Sequence, residues 1–301
     1  MNKKNIIIIT GATGSGKSKL AIEIAKNNNG EIINADSMQI YKQIPIISAQ
    51  PNEEEKKIIN HHMYGFLDIT KTSFNYSVGN YLHDLQNTIK TIIDKNKTPI
   101  IVGGTMLYID AIINGINEIE DIKQEIKKEV EEKFNNKQTN EIFDFLQSID
   151  EKYAKIVDKN NKARLIRGIE VKLSSGKSII DFWDKKNKNF FTDEFNFDKY
   201  IIEIQREKLY ERINQRFDKM LDLGAIDEIK NLFKQCKVKN IDLNKIPKAI
   251  GLHEFFDYFE NKISLEKAIE LSKQHSRNYA KRQLTWFRNR FQDFKKIQIN
   301  Y

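Results

Sequence analysis

The chain has a single cysteine, Cys236, among 301 residues. One thiol closes no disulfide within the chain and builds no cysteine zinc site, which points to a reducing compartment. Long apolar runs are missing too. None approaches the ~20 residues a membrane span needs. The first ten residues read as a strand, without the pattern of a cleavable leader. A soluble cytoplasmic protein with no membrane association is the expectation. Internal repeats are absent. Acids are scarce in one place: from Leu271 to Lys296 only Asp293 offsets Lys273, Arg277, Lys281, Arg282, Arg288, Arg290, Lys295 and Lys296. The formal net charge is +8, so most of the excess sits near the C-terminus and favours an anionic partner.

At 40% hydrophobic residues the chain can bury a core, and its length suits one large α/β domain or a core with an insert. Ile6–Ile9 is a β-branched run, the mark of a strand buried on both faces. Ser18 to Lys26 reads as a helix, Glu31–Ser37 as a short strand ending in polar residues, and Tyr81 to Asp94 as a second helix. Thr98–Thr105 is another buried strand followed by a glycine turn. Alternating strands and helices predict a parallel sheet with helices on both faces. Ligands bind such sheets off the C-terminal ends of the strands, where these polar turns lie.

After Gly115 the texture becomes charged and helical: Glu118 to Phe134, Glu141 to Ile149 and Ala163 to Leu173, followed by an irregular stretch from Lys185 to Asn196. Tyr200–Gln205 looks like a strand returning to the sheet, and Lys208–Lys234 and Leu265–Arg290 like long helices. The expected plan is an α/β core of residues 1–115 and 196–301 with an all-helical insertion domain at 116–195.

Gly11, Ala12, Thr13, Gly14, Ser15, Gly16, Lys17 and Ser18 fit G-x-x-x-x-G-K-[ST] in full. The glycines let backbone N–H groups converge on an anion, and the following helix adds its dipole. Lys17 supplies charge to terminal phosphates, and Ser18 a hydroxyl for Mg²⁺. The motif specifies di- or triphosphate binding but leaves the reaction open. A nucleotide hydrolase would add a second strand ending in Asp to hold the metal. Here that strand ends in Gly103, Gly104 and Thr105, and the strand-end acid is Asp36. Asp36 suits a general base, a metal ligand or a simple turn. Arg164 and Arg167 share a helix face, while Arg206, Arg212 and Arg216 precede or lie on the next long helix. Either group fits an anionic partner or ordinary surface charge. In Ser276–Arg290, Arg277, Lys281 and Arg288 fall on one face with Tyr279, Trp286 and Phe287 interleaved. The basic face suits RNA, with the aromatics largely packed inside. His61 and His62 are adjacent and point apart, so one is expected to be a buried, hydrogen-bonded histidine rather than half of a metal pair.

The ordered set GATGSGKS (Gly11–Ser18), INADSMQIYK (Ile33–Lys42), His61–His62, GGTMLYI (Gly103–Ile109), RLIRGIEV (Arg164–Val171), IGLHE (Ile250–Glu254) and YAKRQLTWFR (Tyr279–Arg288) resembles the tRNA dimethylallyltransferases over nearly the whole length. The resemblance implies a P-loop NTPase-like fold and transfer of a dimethylallyl group from its diphosphate to N6 of the adenosine 3′-adjacent to the anticodon (position 37), with Mg²⁺ as cofactor. By it Asp36 is the general base and Thr105 and Lys17 act at the reacting centre. The phosphate loop with Arg216 holds the diphosphate, and Ser18 the metal. Asp36, Ser37, Met38, Gln39, Thr105, Lys127, Ala163, Arg164, Leu165, Ile166, Arg167, Arg277, Lys281, Arg282 and Arg288 would meet the tRNA anticodon stem-loop, and the enzyme would act as a monomer. There are departures from the family pattern. Ala12 stands for a common Pro, Lys127 for an Arg, and Ser48-Ala49-Gln50-Pro51 lacks a family Lys. Competing assignments are an adenylate (AMP/ADP) isopentenyltransferase, which needs neither insert nor basic helix, and a small-molecule P-loop kinase.

Overall fold

The computed structural model describes residues 3–71, 76–117, 119, 121–183, 189, 191 and 194–298. The chain forms two compact units, Met1–Ile113 with Phe190–Tyr301, and Asn114–Asn189. The first is built on β1 (Lys4–Gly11), β2 (Gly30–Asn34), β3 (His61–His62), β4 (Thr98–Gly103), β5 (Phe195–Glu203) and β6 (Lys295–Gln298). These strands are parallel in the order β3-β2-β4-β1-β5-β6. The isoleucine run explains the centre: Ile6 and Ile8 point one way, Ile9 the other, and all three are fully buried.

Helices cover the sheet. α1 (Lys17–Asn27) lays Ala21 and Ala25 on Ile7, Ile9, Ile32 and Ile100. The short α2 (Glu53–Ile58) starts with a capping box from Asn52 to Glu55. α3 (Val78–Asp94) packs on β2 and β4 and buries Leu82, Leu85, Ile89 and Ile92. α4 (Met106–Asn114) follows β4 directly.

The second unit holds α5 (Gln124–Phe134), α6 (Thr139–Ile149), α7 (Glu151–Ala154) and α8 (Lys162–Ser175). Val130, Phe134, Ile142, Leu146, Leu165 and Ile169 make its own core. The chain then returns to the first unit through β5, α9 (Arg206–Asp222), α10 (Ala225–Val238), α11 (Leu252–Phe259) and α12 (Leu265–Arg290). Phe217, Ile229, Leu232, Phe255 and Phe256 join these helices in a further core.

Several boundaries differ from the sequence reading, and one strand was not read. The helix expected over Lys208–Lys234 is two, broken at Gly224, whose φ of +94° is left-handed. The helix expected from Glu118 starts at Gln124. Ile122 before it is already buried, while Glu118 and Glu120 lie outside the described residues. β5 begins at Phe195 because its first residues pair with β1 from Lys4 onward. Most of the irregular stretch Lys185–Asn196 lies outside the described residues. β6 went unread because it is short, lies at the sheet edge and leaves both its lysines exposed.

Candidate active site

β2, β4 and β1 are neighbours, and the pairings Ile9 with Val102 and Asn34 with Val102 bring their C-terminal ends level. Three loops therefore converge: the phosphate loop after β1, Asp36 after β2 and Thr105 after β4. The approach is close enough to dictate glycine. A Cβ at Gly103 would lie 2.0 Å from the Ala35 carbonyl oxygen. In the phosphate loop Gly14 and Gly16 take φ of +80° and +97°.

Lys17 opens α1 and folds back over the loop. Its Nζ donates to the carbonyls of Gly11 (2.9 Å) and Ala12 (3.0 Å). Burial lowers its pKa to about 8, opposed by the negative field of Asp36 and reinforced by Arg216. From α9, Arg216 Nη2 donates to Thr13 Oγ1 at 2.6 Å and Arg212 Nε to the Gly14 carbonyl at 2.9 Å. Burial, against the pull of Asp36, also lowers the Arg216 pKa.

The carboxylate opposite these cations is held in a local turn. The Asp36 N–H donates to Asn34 Oδ1 (2.8 Å), and Asp36 Oδ1 accepts from the Met38 N–H (2.9 Å). Thr105 Oγ1 accepts from the Ser37 N–H at 2.8 Å and donates to Ser37 Oγ at 3.2 Å. Gly14, Gly16, Lys17, Ser18, Asp36, Gln39, His61, Tyr64, Arg212 and Arg216 line one cavity of about 300 Å³. Cations, a carboxylate and backbone N–H groups thus share one cavity. That combination can hold a diphosphate and accept a proton beside it.

Other expected site residues have plainer surroundings. Gln39 Nε2 donates to the carbonyls of Ser48 (2.9 Å) and Ala49 (2.7 Å), so its amide braces a loop. Met38 packs against the helical core. His61 and His62 are both half-buried and both hydrogen-bonded, to the Ile59 carbonyl and to Glu31, which corrects the expectation of a single buried histidine. Lys281, Arg282 and Arg288 are exposed on α12. Lys281 and Arg288, with Arg206, Lys208 and Lys296, line a groove of about 880 Å³. Arg277 is half-buried and donates to Asn214 Oδ1 at 2.7 Å. Phe287 is buried, and Trp286 meets it and Phe291 edge-on, so these aromatics pack inward. In the helical unit Ala163, Arg164 and Arg167 are exposed and Ile166 half-buried. Leu165 is fully buried in the core, so its side chain meets no partner there. Lys127 and Arg167 both act on the half-buried Glu170, whose pKa burial raises against their pull.

Three residues at the site escaped the sequence reading as partners. Arg212 was one of several arginines without a distinguishing mark. Tyr279 hydrogen-bonds the Thr105 side chain. Gln283, one turn further along α12, is fully buried between the loops. Its signal was legible: Ser272, Ser276, Ala280, Gln283 and Phe287 form a buried stripe, and an amide in such a stripe needs partners.

The fold and this cavity define a phosphate-loop α/β protein whose second strand end carries a carboxylate, Asp36. A family model described as IPP transferase matches residues 39–290. A tRNA dimethylallyltransferase of Ehrlichia ruminantium is 42% identical over 289 residues, covering 95% of this chain and 92% of that protein. The full-length tRNA isopentenylpyrophosphate transferase of Bacillus halodurans superposes with a TM-score of 0.69 at 32% identity, covering 100% of this chain and 92% of that one. A eukaryotic dimethylallyltransferase acting on tRNA gives 0.80 at 29% identity, over 98% and 74%. The chain belongs to the IPP transferase family.

Proposed function

We infer that this chain is a tRNA dimethylallyltransferase. It moves the dimethylallyl group from dimethylallyl diphosphate to N6 of the adenosine 3′-adjacent to the anticodon. The observation that carries this reading is the placement of Asp36 in the same cavity as Lys17 and Arg216, with a Gly-Gly-Thr turn at the strand end where a nucleotide hydrolase keeps its metal-binding acid.

The amine nitrogen attacks the allylic carbon, and the C–O bond to diphosphate breaks, its electron pair leaving with the diphosphate. Negative charge therefore grows where Lys17 and Arg216 stand, and their attraction is strongest in the transition state. The Asp36 carboxylate takes the proton that the amine loses. Thr105, fixed to Ser37 and Tyr279, presents its hydroxyl at the reacting centre. The adenine must leave its stack to reach the cavity.

Mg²⁺ fits the oxygen donors here. Ser18 lines the cavity, and no group of three His, Cys, Asp or Glu among the described residues makes a separate metal cage. Magnesium takes few protein ligands and completes its shell with phosphate oxygens and water. Bound by Ser18, it would help neutralise the departing diphosphate.

The exposed Lys281, Arg282 and Arg288, with Arg164 and Arg167 of the helical unit, supply phosphate contacts to the anticodon stem-loop. No helix among the described residues is long and apolar enough to cross a membrane. The test is incubation with Mg²⁺, dimethylallyl diphosphate and either tRNA or AMP, with ATP in a parallel reaction. Prenylated tRNA is the expected product. Prenylated AMP in its place would reassign the acceptor, and ATP turnover alone would make the chain a kinase or ATPase.

A further inference from the structure

Gln283 lies on the helix that presents Lys281 and Arg282 to solvent, yet its own side chain is fully buried. Its amide makes two long-range bonds. Oε1 accepts from the Thr13 N–H in the phosphate loop at 2.8 Å, and Nε2 donates to the Gly104 carbonyl in the turn after β4 at 2.8 Å. One side chain therefore ties the diphosphate loop to the loop that carries Thr105. A second stitch lies beside it: Thr10 Oγ1 donates to the Gly103 carbonyl at 2.9 Å. One turn back on the same helix face, Tyr279 holds Thr105 itself.

We propose that Gln283 is a positioning residue for the transfer, clipping the phosphate loop to the Gly103–Thr105 loop so that leaving-group site and reacting centre keep one fixed separation. Two features make the assignment chemical rather than a matter of packing. Both bonded atoms belong to backbone that lines or abuts the site, and both ends of the amide are used in the sense only an amide supplies. An isosteric methionine keeps the volume and loses acceptor and donor together; a glutamate keeps the acceptor and loses the donor. The bond to Thr13 also withdraws that N–H from the set facing the anion. The loop's grip thus falls to its remaining N–H groups, Lys17 and Arg216. A fixed separation matters because a misplacement of about 1 Å at a reacting centre costs on the order of 10²-fold in rate.

Because Gln283 rises from the helix with the exposed basic face, the clip also joins the proposed tRNA-binding helix to the diphosphate site. The inference rests on the reading that the loop holds diphosphate, so its test includes a control for that reading. Binding of inorganic diphosphate with Mg²⁺ is measured by calorimetry for wild type, Gln283→Met and Lys17→Met. Steady-state rates are measured for wild type and Gln283→Met, with the thermal midpoint and tRNA affinity recorded for each protein. The expected result is a rise of about tenfold or more in diphosphate Kd for Gln283→Met, together with a lower kcat, while tRNA affinity stays within twofold. A purely structural role would lower the thermal midpoint and the folded fraction and leave diphosphate Kd and kcat per folded molecule unchanged. That outcome overturns the proposal, provided Lys17→Met has lost diphosphate. If Lys17→Met binds diphosphate as well as wild type, the site reading itself fails and the clip falls with it. Gly104→Ala reads the same bond from the other end and serves if Gln283→Met does not fold. A Cβ there would lie 2.5 Å from Gln283 Nε2 and displace the amide. It should reproduce the loss of diphosphate affinity, and wild-type affinity in that variant would equally refute the clip.

Discussion

Raising the pH should switch off the phosphate loop through one lysine. Lys17 is buried, and burial lowers its pKa from 10.5 to about 8, a value set against the opposing pull of Asp36. The ammonium form, which the diphosphate needs, is the form present below that value. Affinity is therefore full at lower pH and lost as pH rises through about 8. With a midpoint at about 8, roughly three quarters of the lysine is charged at about pH 7.5 and about one tenth at about pH 9. The kcat/KM for dimethylallyl diphosphate, which reports the free enzyme's ionisations, should fall about eightfold over that interval at saturating tRNA. Lys17→Arg is the control, because a guanidinium stays charged throughout. Its absolute activity will drop with the altered geometry, but its profile should stay level above about pH 7.5. Titration of the substrate or of any other group would appear in both proteins. An equal decline in Lys17→Arg, or a flat wild-type profile to about pH 9, would refute the claim that Lys17 is the titrating charge.

Asp36→Ala should lower turnover about 10²–10⁴-fold, the size of a general-base effect, while a filter-binding assay finds tRNA still bound. Turnover near wild type would show that another group takes the proton. Lys281→Ala and Arg288→Ala should each weaken tRNA binding and reduce the slope of log affinity against log salt by about 1, and an unchanged slope would remove that side chain from the RNA footprint. Glu31 offers a test of stability away from the site. Its own burial would raise the carboxyl, but hydrogen bonds from Lys97 (2.7 Å), Asn60 (2.8 Å) and His62 (2.7 Å) outweigh that and lower it from 4.5 to about 2. Because the folded value is depressed, the stabilisation is complete above 4.5 and is lost as pH falls through about 2. By linkage it is worth up to about 3 kcal/mol. Urea unfolding from about pH 5 down to 3 should show wild type losing stability faster than Glu31→Gln, and parallel curves would mean that Glu31 is not the linked group.

The local grammar of the site was readable residue by residue. The isoleucine run, the glycine-lysine-serine turn and the strand-end polar residues follow from short-range rules: β-branched runs make buried strands, and only glycine takes the left-handed turns of a phosphate loop. That is why the loop could be named, and Asp36 singled out as a strand-end acid, before any contact was known, whereas Thr105 stood out only through the family likeness. The family likeness added the reaction, because a phosphate loop by itself does not say whether phosphorus or carbon is attacked. Element boundaries were less legible where the deciding force lies elsewhere in the chain. Gly224 ends α9 although the apolar periodicity continues past it, and β6 exists only because β5 offers it an edge.

The linear order of residues determined the chemistry on offer: a cationic glycine loop, a carboxylate, a threonine and a basic C-terminal helix. Only the tertiary structure decided which of these meet. The strand order places β4 between β1 and β2, so three turns far apart in the chain become one cavity. α9 and α12 then close over it, bringing Arg216 to Thr13 and Gln283 to both Thr13 and Gly104. Such pairings join residues up to 270 positions apart. No local propensity encodes them, because they form only when packing has already brought the partners within hydrogen-bond reach.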